Sequence, residues 1–114
     1  MDKQREKRIA VALERIAWLQ AGLQLVPCPQ VVRVELQNLL TALEAEVALA
    51  PSREVIHAMI IATKIDLHKK TANTEVFTDE QKEYFVKEIN LITECIEHGI
   101  EGALFIDWSN LQGR

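Results

Sequence analysis

Arg53-Glu54-Val55-Ile56-His57-Ala58-Met59-Ile60-Ile61-Ala62-Thr63-Lys64-Ile65-Asp66-Leu67-His68-Lys69-Lys70 decides the fold class. Its β-branched residues suit a strand. Its length does not: the stretch covers about 18 residues, whereas strands usually run about 4–8. Its ends read as helix ends. Ser52 offers a hydroxyl to free backbone N–H groups as an N-cap. Glu54 sits where the helix dipole favours an anion, and Lys69 and Lys70 where it favours cations. A helix over 53–70 is predicted, and with it an all-α chain.

Working outward, three more segments carry helical periodicity. From about Lys3 to Val26, Ile9, Ala12, Ile16, Leu19, Leu23 and Val26 recur in steps of three and four and fall on one stripe. Pro27-Cys28-Pro29 ends it, because proline lacks a donor and biases its predecessor away from the α region. From about Gln30 to Leu49, Val32, Leu36, Leu39, Leu40, Leu43 and Val47 form an inward face, and Pro51 stops the run. Thr71 to Phe77 reads as a loop. Thr78-Asp79-Glu80-Gln81 matches a capping box, with Thr78 and Gln81 satisfying free N–H groups reciprocally.

The fourth helix then runs from about Asp79 to His98, with Phe85, Ile89, Ile92 and Ile96 inward and Gly99 expected as the left-handed residue that ends it. The tail 100–114 holds Leu104, Phe105, Ile106, Trp108 and Leu111, too apolar for solvent-exposed coil, so it is expected to fold back as a short helix or extended segment. Short connections between helices of similar length favour antiparallel neighbours. The expectation is one domain, 1–114: an antiparallel up-down four-helix bundle with a short C-terminal tail segment. The alternative is two α-hairpins completed by a second subunit.

Composition fits. The chain has 114 residues, 48% hydrophobic and 26% charged, the profile of one globular domain. At this length about 65% of the unfolded chain's surface is buried on folding, enough for one core without staples. Two cysteines are too few for a disulfide scaffold. No continuous apolar stretch reads as a secretory signal or a membrane span. A cytoplasmic protein is expected, with Cys28 and Cys95 as free thiols, Cys28 accessible in its proline turn and Cys95 packed as a small apolar residue.

Some apolar residues fall outside the inward stripes. Val11, Trp18 and Leu25 are spaced seven apart, and such residues drift by only about 20° around a helix. They form a second line, roughly opposite Ile9, Ile16 and Leu23. A surface helix buries one stripe, so a second one centred on Trp18 suits a partner, a second copy or the chain's own tail. The third helix is apolar around most of its circumference, leaving Arg53, His57, Lys64 and His68 as a narrow polar strip. A helix apolar nearly all round is usually central, yet a four-helix bundle has no central helix. Tyr84, Leu91 and Cys95 widen the fourth helix's apolar face in the same way. A homodimer with the third helix near its interface is expected.

Charge is uneven. Residues 1–26 carry five basic and three acidic groups, residues 52–70 four and two, and residues 71–114 three and nine. The acidic last third suits the basic third helix and N-terminus, within one chain or across a dimer. The net charge of −4 and pI of about 5.4 argue against general nucleic-acid binding. Lys3, Arg5, Lys7 and Arg8 would serve a nucleic-acid regulator with a basic end, but Asp2 and Glu6 interrupt them.

Chemistry is thinly represented. Glu54-Val55-Ile56-His57 is a single Glu-x-x-His, where a carboxylate di-metal bundle needs two. His57, His68 and Cys95 are zinc-ligand types without tight spacing. His57 and His68 stand eleven residues apart, about 16 Å along a helix, and cannot share an ion. With Arg53 and Lys64 they form a possible anion-facing strip, and a histidine there that meets a carboxylate would make association pH-sensitive. Neither cysteine has a base beside it in sequence, and no phosphate-loop or hydrolase motif occurs. No catalytic, cofactor or metal residue is assigned. The function expected is a small helical protein–protein interaction module, an adaptor, regulator or chaperone-like binder. Val11, Trp18, Leu25, Phe105 and Trp108 would form its partner or dimer interface. The nucleic-acid regulator and a metal-binding bundle are the alternatives.

Overall fold

The computed structural model describes residues 3–49 and 52–105. It consists of four helices, α1 (Lys3–Leu23), α2 (Gln30–Leu49), α3 (Arg53–Asn73) and α4 (Asp79–Leu104), with no strand among the described residues. The stretch from Arg53 is therefore a helix. Ser52 caps it: the hydroxyl accepts from the Val55 N–H. At α4 the capping box is complete, with Thr78 accepting from Gln81 N–H at 3.2 Å and Gln81 accepting from Thr78 N–H at 2.9 Å.

α1 packs against α2 and α4, and α3 packs against the same two helices. The body measures 52 × 30 × 25 Å. The core between the four helices contains Ala12, Ile16 and Leu23 of α1, Ile56, Ile60 and Leu67 of α3, and Ile89, Ile96, Ile100 and Ala103 of α4. α2 contributes all six of its expected inward residues, from Val32 to Val47. Thr93 is a buried exception to apolarity, and its hydroxyl donates back to the Ile89 carbonyl at 2.8 Å, so its own hydrogen is not stranded.

Three boundaries differ from expectation. α1 ends at Leu23 rather than Val26, and Leu25 and Val26 N–H turn back to the Gly22 and Leu23 carbonyls. Val26 precedes Pro27, whose ring disfavours the α region there. α3 runs on to Asn73, because Thr71 is buried and the core rewards one more turn. α4 passes through Gly99 to Leu104, and none of the described glycines has positive φ. Ile100 and Ala103 continue the buried row of Ile89, Thr93 and Ile96, so burial outweighs glycine's tendency to stop a helix. The first residues of the expected tail are thus the last turn of α4, and Ile106 to Arg114 lie outside the described residues.

α3 is not central. Only Ile56, Ile60, Leu67 and Thr71 are buried on it, while Val55 and Ile65 are 43% and 49% exposed. Its surplus apolar residues face outward.

Candidate functional site

Two surfaces stand out, one on each side of α4. The first lies between α1 and α4. Trp18 is 78% exposed and Leu91 56% exposed, and together they line a groove of about 300 Å³ with Leu19, Gly22, Leu23, Val26, Ile92, Cys95 and Ile96. Among the described residues Glu88 is its one charged lining residue. The helix positions explain it. Leu23 and Ile96 belong to the inward stripes and form the floor, while Trp18 and Leu91 stand one step outward on their own helices. At the lip, Gly22 presents no side chain, which leaves the space open.

The expected interface residues do not all meet there. Trp18 lies in the groove. Leu25, 85% exposed, stands in the turn just after α1. Val11 is half-buried and packs on the core. Phe105 lines a different pocket, beneath Arg53. Trp108 lies outside the described residues. The cysteines exchange expected roles: Cys28 packs partly against the core, whereas Cys95 is exposed in the groove. Both are free thiols.

The second surface is a pocket of about 420 Å³ between α3 and α4, lined by Arg53, Glu54, Ile56, His57, Glu97, Glu101 and Phe105. Its basic side chains meet carboxylates of the same chain. Arg53 pairs with Glu101, and its guanidinium lies 5.9 Å from the centre of the Phe105 ring. His57 Nδ1 lies 2.6 Å from Glu97 Oε1. Each helix supplies its two groups one turn apart, so the pairs form a two-rung ladder. The strip read as anion-facing thus meets carboxylates of its own α4 at Arg53 and His57. Lys64 and His68 join no ion pair among the described residues, and His68 Nε2 is buried without a hydrogen-bond partner there. The sequence signal that could have matched Glu97 and Glu101 to that strip is the acidic excess of the last third, too coarse to name residues.

Among the described residues no three His, Cys, Asp or Glu side chains come together as a metal site, and no helix there is long and apolar enough to cross a membrane. No protein-family model, curated protein or solved structure matches the chain.

Proposed function

We propose that the protein is a small helical interaction module, a binding protein rather than an enzyme, whose α1–α4 groove receives an apolar helix face of a partner protein. The exposure of Trp18 carries this: a large aromatic ring stands 78% exposed on the rim of an apolar groove. Indole is among the side chains that most often anchor interfaces, and adjacent helices with an apolar furrow between them are a common seat for a third helix. We further place the four helices in up-down antiparallel order. In support, Arg8 and Arg15 of α1 bond the Leu104 and Gly99 carbonyls, early residues against late ones. The free thiols fit a cytoplasmic setting.

Self-association belongs to a different face. Val55, Ala58, Ala62 and Ile65 recur at steps of three and four along α3, and all four are exposed. A second copy seated on this stripe would bury it and leave the α1–α4 groove open to the partner.

Two measurements test these roles. Light scattering at low micromolar concentration is expected to give twice the 13.0 kDa chain mass; the single-chain mass removes the homodimer. Partner capture by the full chain is expected to be lost in Trp18→Ala while circular dichroism stays unchanged. Capture that survives this substitution removes the groove.

A further inference from the structure

The outer face of α3 is apolar where a bundle helix normally turns polar residues to water. At about 100° per residue, Val55, Ala58, Ala62 and Ile65 centre on the side opposite Ile56, Ile60, Leu67 and Thr71, the residues buried in the core. Their steps of three, four and three are the spacing of a helix–helix seam. A shallow furrow between α2 and α3 adjoins the stripe at Met59, Ala62 and Asp66. The stripe is also complementary to itself. Turned end for end about a twofold axis, a second α3 sets its Ile65 on Val55 and its Ala62 on Ala58, and the symmetry repeats both contacts. Lys69, the next residue of the pattern, fixes this alignment. A shift of half a heptad would press it onto Ala58 of the second copy, and a parallel pair would set it against Lys69 of that copy. In the end-for-end pair it lies beyond the apolar seam, within one turn of Glu54 of the second copy. Neither Glu54 nor Lys69 enters an ion pair among the described residues. Their charged neighbours are engaged within the chain, Asp66 with Lys70 at 3.1 Å and Arg53 with Glu101.

Resting on the homodimer proposed above, we infer that two copies join antiparallel through the outer faces of α3, with Ala58 and Ala62 beside the twofold axis and a Glu54–Lys69 pair at each end. The alanines let the two helices approach closely, and the Val55–Ile65 contacts close the seam on either side. The seam is about 15 Å long and one helix, about 10 Å, wide. A stable pair covers about 800 Å² on each copy, so the contact takes in the furrow at Met59 and Asp66 as well. The charge pairs stand at the edge, where both groups stay partly hydrated. They set orientation more than affinity. Among the described residues no α3 side chain lines the α1–α4 groove, so the pair keeps two grooves open and can hold two partner molecules at once.

Full-length protein carrying Cys28→Ser and Cys95→Ser has no native thiol, so Val55→Cys and Ile65→Cys versions of it each hold one cysteine. The two are mixed in equal amounts, oxidised with glutathione disulfide, and the linked peptides read by mass spectrometry. Bonds between positions 55 and 65 are expected to exceed those between like positions at least about tenfold. A disulfide needs Cα atoms within about 7 Å, and like positions stand about 15 Å apart along the axis. In the unmodified background, Glu54→Lys and Lys69→Glu should each raise the dimer's Kd several-fold, and the two together should bring it back toward the starting value. Circular dichroism is expected to stay unchanged throughout. A doubled mass by light scattering with bonds between like positions overturns the antiparallel alignment and spares the homodimer. A doubled mass with no bond between copies moves the interface off α3 and overturns the inference, again sparing the homodimer. A Kd that neither charge reversal moves overturns the Glu54–Lys69 pairing, and the inference with it. The single-chain mass at low micromolar concentration overturns both.

Discussion

Arg15 of α1 donates to the carbonyl of Gly99, 2.7 Å away, at a point where α4 continues unbroken. The bond uses glycine's backbone, not its freedom. Gly99 has no positive φ, and a Cβ built on it meets nothing within 4 Å. Glycine inside a helix costs about 0.5–1 kcal/mol relative to alanine. Gly99→Ala is therefore expected to stabilise the protein by about that amount, read as a higher urea midpoint with an unchanged slope. A loss of stability would show that the site needs glycine.

Trp18→Ala is expected to change stability by less than about 0.5 kcal/mol, because a side chain 78% exposed contributes little to the core. Urea unfolding measures it. A cost of several kcal/mol would place the indole in the fold rather than at an interface.

Thr78→Ala removes the side-chain half of the α4 capping box and leaves the Gln81 N–H without its acceptor. The expected cost is about 1 kcal/mol. Thr78→Ser keeps the hydroxyl and should recover most of it in the same assay.

Leu43 is fully buried in the middle of the α2 face. Leu43→Ala removes apolar contacts and leaves a cavity, so about 2–5 kcal/mol is expected. Leu43→Met, close in volume, should cost less than about 1.5 kcal/mol. Thermal and urea unfolding of the two variants give the comparison.

The Arg53–Glu101 pair joins a side chain 64% exposed to one 28% exposed. Solvent screens it, and a double-mutant cycle with Arg53→Ala and Glu101→Ala is expected to return less than about 1 kcal/mol, smaller still at high salt. The stacking of Arg53 over Phe105 should persist in Glu101→Ala, so Arg53→Lys would lose more than the charge pair alone explains.

The inward face of α2 is fully legible in the sequence, since Val32 to Val47 are placed by the helical repeat alone. So are Ser52 and the Thr78–Gln81 box, which act within one turn. The rim residue Trp18 is legible too, because an apolar residue off the inward stripe is visible in the spacing. Gly99 misleads for a physical reason. A glycine ends a helix only when the residues beyond it gain nothing by continuing, and Ile100 and Ala103 gain burial in the bundle core. Cys28 and Cys95 mislead likewise, since their exposure depends on neighbours remote in sequence.

Local periodicity, caps and prolines thus determine from the sequence that the chain is helical and where most helices begin, because those forces act over about one turn. Tertiary packing alone decides that His57 faces Glu97 across 40 residues of chain. It also separates Phe105 from Trp18 and opens a furrow between α1 and α4. Burial and charge pairing are properties of two surfaces meeting, and a single helix repeat describes only one of them.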